Sequence, residues 1–222
     1  MAVHFLREID QLKQRLLSLS AIIETQLHTA TRALHERDAD AACTVIDRDA
    51  EVDRLEVSIE EECLKILALY QPVAADLRFL VAVLKINNDL ERIGDLCVNI
   101  ARKAVALARR SGFQFPFDLQ AMSNRAVAMV EESLNALIHL DAERARNVCA
   151  ADAEVNAMKR DARRVAIKVI EESPELIDPM LRLLGATRNL ERIADLATNI
   201  AEDVIYLVEG HIPRHQMRED ED

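Results

Sequence analysis

Tryptophan is absent from this chain of 222 residues, glycine occurs only 4 times and proline 5 times, and aromatic residues make up 3%. So few breakers leave room for only a handful of long helices, and Ala, Leu, Glu, Arg and Ile, which favour helix, fill much of the rest. The glycines stand far apart, so neither G-x-G-x-x-G nor a P-loop can be written and no nucleotide site is expected. The Gly-x-Ser-x-Gly context of a Ser/His/Asp hydrolase is missing too. Positive charge is also in deficit: 28 Lys and Arg face 39 Asp and Glu, a net charge of -11. That argues against nucleic acid as a partner and against a polybasic membrane anchor, because phosphate neutralisation needs clustered Lys and Arg.

Long apolar runs are lacking. Phe79 to Leu84 is only six residues, against the roughly 20 that a spanning helix needs. Met1 to Arg15 mixes charge with Leu and offers no secretory signal, and Met1-Ala2 excludes N-myristoylation, which requires glycine after the initiator. The expected location is cytoplasmic. Cys43, Cys63, Cys97 and Cys149 form no C-x-x-C pair, so they are read as small buried residues in a reducing compartment rather than as zinc ligands. The six His residues, at 4, 28, 35, 139, 211 and 215, never follow a Glu by three positions. Diiron sites of the ferritin type, which use Glu-x-x-His, are thereby excluded, and the same scatter argues against His-Glu-x-x-His zinc sites. No catalytic residues emerge, and the chain is not expected to be an enzyme.

What the chain does contain is a repeat. Leu90 to Ala101 and Leu190 to Ala201 agree at nine of twelve positions, and Asp49-Ala50-Glu51-Val52 recurs as Asp152-Ala153-Glu154-Val155 at an offset of 103. The three-residue difference between the offsets falls near Gln71-Pro72 and Ser173-Pro174, where a loop can absorb it. This is an internal duplication. Each copy divides into three helical stretches, at about 5–36, 39–69 and 74–110, then 118–139, 142–172 and 176–209. Asp38 or Asp40 can cap the second stretch and Asp118 the fourth. Ser111 to Phe117 is a linker whose three Phe are expected to plug the junction between the copies. In the third helix of each copy, Ile86, Leu90, Ile93, Cys97, Ile100 and Ala104, and likewise Ala186, Leu190, Ile193, Ala197, Ile200 and Val204, alternate in steps of four and three, the seam of helices packed at shallow angles. The fold expected is all-α, two tandem three-helix bundles with six long helices, side by side or end to end. Residues 1–112 form the first bundle, 113–210 the second and 211–222 a flexible acidic tail.

Beside the seam runs a polar stripe: Asn88, Glu91, Asp95 and Asn99 in the first copy, and Glu191, Asp195, Asn199 and Glu202 in the second. Carboxylates at i and i+4 repel by a few tenths of a kcal/mol on a bare helix, so the spacing is odd unless something positive sits there. Asp49 and Asp53, followed by Glu56 and Glu60, add a second acidic face. In the second copy Asp152 is followed by Asn156 where the repeat predicts an acid. Converging oxygens of this kind suit iron, manganese, zinc, magnesium or calcium. The alternative is a solvated face in which Arg92 and Arg192 neutralise the acids locally. A further alternative is a helical scaffold docking basic partners through its acidic stripes, with metal incidental.

Gln71-Pro72-Val73-Ala74-Ala75-Asp76-Leu77-Arg78, Lys85-Ile86 and Asp89-Leu90-Glu91-Arg92-Ile93-Gly94-Asp95, with the second Leu-Glu-Arg-Ile-x-Asp at 190–195, resemble the PhoU family of phosphate-uptake regulators. The resemblance covers nearly the whole chain. It implies two three-helix bundles and a homodimer. It also implies negative regulation of phosphate uptake and of the phosphate-starvation response, with the phosphate ABC transporter ATPase and a sensor histidine kinase as partners, so that the membrane is reached only through them. Metal clusters bound by some members imply Asp49, Asp53, Glu91 and Asp95 as ligands in the first copy and Asp152, Glu191 and Asp195 in the second. Asn156 departs from that pattern.

Overall fold

The computed structural model describes residues 2–109 and 114–210. The acidic tail, 211–222, and residues 110–113 of the linker, including Phe113, lie outside the described residues. Among the described residues seven α-helices follow in order: α1 Ala2–Glu36, α2 Ala39–Asp47, α3 Asp49–Tyr70, α4 Ala74–Ala108, α5 Leu119–His139, α6 Ala142–Glu172 and α7 Ile177–Glu209, with a 3-10 turn, Pro174–Leu176, before α7. Every boundary falls within a few residues of the expected one.

The difference from expectation lies in the second stretch, which is two helices. Arg48 adopts φ -86 and ψ -5 and separates α2 from α3. Its carbonyl accepts from Glu51 N–H at 3.0 Å. In the second copy α6 runs through the equivalent position without a break. The chain ends are set by local chemistry. Asp38, rather than Asp40, caps α2, its carboxylate accepting from the N–H groups of Asp40 and Ala41 at 3.0 Å each. Asp118 caps α5 through Ala121 N–H at 2.9 Å, and Asp141 caps α6 through Arg144 N–H at 3.0 Å, each satisfying an N–H that the helix itself leaves unpaired. Gln71 and Leu140 close α3 and α5 in the left-handed region.

All twelve seam residues of α4 and α7 are buried. A helix with one buried seam has a solvated back, but α4 and α7 also bury Leu96 and Val98, and Leu196 and Ile205. They are the two inner helices. The first bundle packs α1, α2 and α3 on α4, the second packs α5 and α6 on α7, and α4 and α7 pack on each other. Lys85 on α4 reaches Asp203 on α7, while Gly185 on α7 faces Lys103 on α4. Low numbers meet high ones at both ends, so α4 and α7 run antiparallel and the bundles lie side by side. His28 of α1 and Glu131 of α5, 2.7 Å apart, link the bundles again at the surface.

In the linker Phe115 stacks edge-on to His35 at 6.2 Å and lies under the Arg37 guanidinium at 5.1 Å, and Phe117 packs on the core. Cys63 and Cys97 are buried and Cys149 is half-buried, but Cys43 is exposed, against expectation. Residue 43 sits on the outward side of α2, whose inward positions are Ala42 and Val45.

Candidate functional site

The α3 helix begins at Asp49, so the break at Arg48 sets the Asp49 and Glu51 carboxylates in its first turn, where unpaired N–H groups favour negative charge. The helix then carries Asp53 and Glu56 alongside the α4 stripe. Glu91 shows the convergence. Burial first, and then the fields of Asp95, Glu56, Asp53 and Asp49, push its carboxyl above the usual range. Asp49 is raised by burial, by Asp53 and by Asp95, with Arg102 acting against them. Glu56 is raised by burial, Glu60 and Asp53. Six acids on two helices thus feel one another. Arg92 forms its ion pair with Asp89, at 3.6 Å, rather than with Glu91 or Asp95.

Gly94 lies on the inner side of the same turn. A Cβ there would stand 3.2 Å from Ile23 Cδ1 and 3.3 Å from Val52 Cγ1, so its lack of a side chain lets α1 and α3 close on α4. Gln26, 2% exposed, lies at the same level, and both atoms of its amide lack a hydrogen bond to any described group.

The second stripe brings together Asp152 of α6 with Glu191 and Asp195 of α7. Burial, then Glu191 and Asp152, push Asp195 up to about 6, with Lys159 and Arg192 acting against the rise. Lys159 Nζ donates to Glu191 Oε1 at 2.7 Å, and Asn156 Nδ2 donates to Asp152 Oδ2 at 2.7 Å. Sequence reasoning missed Lys159, although aligning the repeats at their offset of 103 sets it opposite Glu56.

Oxygen is the donor throughout both stripes. The nearby thiols are held in the protonated form by burial: Cys97 is pushed up, also by Asp49, and Cys149 is pushed up to about 11, also by Glu202 and Asp152. Carboxylate oxygens, the donors of the first stripe, are of the chemical type that hard cations take. Among the described residues no three His, Cys, Asp or Glu side chains form a ready-made cage for an ion. Like charges sharing a groove repel.

The PhoU domain family model matches twice, over residues 16–104 and 119–204, once in each bundle. The chain belongs to the PhoU family. A phosphate-specific transport system accessory protein PhoU homolog of Pseudomonas aeruginosa is 36% identical over 212 residues, covering 95% of this chain and 88% of that protein. The Escherichia coli accessory protein PhoU is 30% identical over 211 residues, with 95% and 88% covered. The crystal structure of P. aeruginosa PhoU superposes with a TM-score of 0.90 at 36% identity, covering 93% of this chain and all (100%) of that one. The Streptococcus pneumoniae phosphate transport system regulatory protein PhoU gives a TM-score of 0.84 at 26% identity, with 94% and 98% covered. The all-α duplicated fold expected from the repeat is therefore that of known PhoU structures. No helix among the described residues is long and apolar enough to cross a membrane.

Proposed function

We propose that the chain restrains phosphate uptake and the phosphate-starvation response when phosphate is plentiful. In this reading it is a cytoplasmic, non-catalytic adaptor between the phosphate ABC transporter ATPase and a sensor histidine kinase. The observation that carries it is the match of 95% of the chain to accessory proteins of phosphate-specific transport systems. Contact surface is available at the turns that join the second and third helices of each repeat. Leu77 and Val81 are exposed there in the first copy, and their equivalents Ile177 and Leu181 in the second. Apolar groups left outside a core of this size suit docking of a partner or of a second copy in a homodimer.

The first acidic stripe is the regulatory element of this proposal. Asp49, Asp53, Glu91 and Asp95 hold a cation such as manganese, magnesium, iron or zinc, with Glu56 beside them. The ion supplies positive charge that offsets the mutual repulsion and ties α3 to α4; it acts on no substrate.

A pull-down from cells grown with ample phosphate and without it tests the adaptor. The bait is the wild-type chain and an Asp49→Asn/Asp95→Asn variant. Recovery of the transporter ATPase or a sensor kinase, changing with phosphate and weakened in the variant, is the expected result. Absence of both partners under both conditions contradicts it. If binding falls with added salt but ignores a chelator, the acids dock a basic surface directly instead.

A further inference from the structure

The two repeats share a backbone but have diverged in charge along one helix face. At the offset of 103, Asp49, Asp53, Glu56 and Glu60 correspond to Asp152, Asn156, Lys159 and Arg163. The buried pairs Val52 and Val155, Ile59 and Ala162, and Cys63 and Ala166 keep the same side inward in both copies, so the correspondence is one of position in the fold. Four acids have become one acid, one amide and two cations.

We propose that Lys159 is a built-in counter-ion that closes the second acidic stripe, so that the chain takes up metal through its first repeat alone. The Lys159 ammonium lies 2.7 Å from Glu191 Oε1, and the Glu191 side chain is the more buried partner, 16% exposed against 38%. The Asn156 amide occupies Asp152 Oδ2 in the same way, at 2.7 Å. An ion entering here would have to displace two donors and then sit beside a fixed positive charge. In the first repeat no ammonium pairs with Glu91 among the described residues; the Asn87 amide reaches Glu56 Oε1 at 3.4 Å, and Arg102 acts on Asp49. The fields acting on Glu91 come from Asp95, Glu56, Asp53 and Asp49, and every one of them is acidic. Backbone structure diverges at the same place: α3 starts afresh at Asp49 after the break at Arg48, whereas α6 passes Asp152 uninterrupted. The first repeat is therefore an acidic groove with no ammonium on Glu91, whereas the second holds its own ammonium against Glu191, beside an Asp195 that still feels Glu191 and Asp152.

The account rests on metal binding by the first repeat, and one set of samples separates the two ideas. Manganese uptake is measured by equilibrium dialysis for the wild type, for Asp49→Asn/Asp95→Asn, and for Asn156→Asp/Lys159→Glu, which restores the first-repeat residues. Melting curves with manganese and with chelator accompany each. The wild type should bind through the first repeat only, the Asp49→Asn/Asp95→Asn variant should lose essentially all uptake, and the restored variant should take up about twice the wild-type amount. Lys159→Met covers the case in which the restored variant does not fold; it should gain weaker uptake and melt lower than wild type in chelator. If the first-repeat variant keeps half the metal, or if neither Lys159 variant gains any, the proposal is overturned. If the wild type binds nothing while the restored variant binds, the first-repeat reading fails and the role of Lys159 stands.

Discussion

Lys85 Nζ on α4 lies 2.8 Å from Asp203 Oδ1 on α7, joining the two repeats through a side chain that is only 5% exposed on the acidic side. The duplication gives this pair a mirror position that has lost it. Gly185 stands where Lys85 stands, and Lys103 where Asp203 stands. There Lys103 lies across the glycine, with Nζ donating to the Asn99 carbonyl at 3.0 Å.

Because Asp203 is buried, truncating its partner strands a charge. Lys85→Met should cost about 3 kcal/mol, read as a fall in the urea midpoint, and adding Asp203→Leu should recover most of it. A loss below about 0.5 kcal/mol would show that water replaces the ammonium without penalty.

Gln26 is the opposite case, a polar group in an apolar layer. Replacing a buried amide that finds no partner by an apolar group of similar shape removes its desolvation cost. Gln26→Leu should therefore raise stability by about 1 kcal/mol, measured by chemical denaturation. Destabilisation would show that the amide is satisfied in solution.

Asp49, Glu56, Glu91 and Asp195 all have carboxyls raised in the folded chain, Asp195 to about 6. A raised carboxyl binds its proton more tightly folded than unfolded, so ionisation weakens the fold. In chelator, stability should rise as pH falls from about 7 toward about 5, with the gain complete near the unfolded value of about 4. For Asp195 the effect is on the order of 1 kcal/mol once solvent screening is allowed for. Asp195→Asn should remove that share of the pH dependence; an unchanged profile in the variant would remove Asp195 as its source.

Substitution of Asp95 separates repulsion from binding. In chelator Asp95→Asn should stabilise the chain by a few tenths of a kcal/mol, because a like charge at i+4 from Glu91 is gone. With manganese added, the variant should bind less metal and gain less in melting temperature than wild type. Equal metal content in the two proteins would sink the assignment of Asp95.

The sequence carries the helices and seams openly because apolar periodicity and helix length are local properties. Ile86 to Ala104 and Ala186 to Val204 read as seams and are buried throughout. The break at Arg48 is not legible: Asp47-Arg48-Asp49 holds no Gly or Pro, and the interruption arises where α2 and α3 both settle on α4. The carboxylates of the site are legible as spacing. What spacing does not give is where each cation turns. Arg92 suits Asp95 by its i,i+3 position, yet it pairs with Asp89. Lys159 is hidden for a related reason, since it meets Glu191 only when α6 and α7 are docked.

Phosphate uptake by cells grown in ample phosphate, with the gene for this chain deleted and then restored, shows whether the chain restrains transport. Uptake should rise on deletion and return to the wild-type level when the chain is supplied again. Uptake that is unchanged by deletion would contradict a restraining role in phosphate transport.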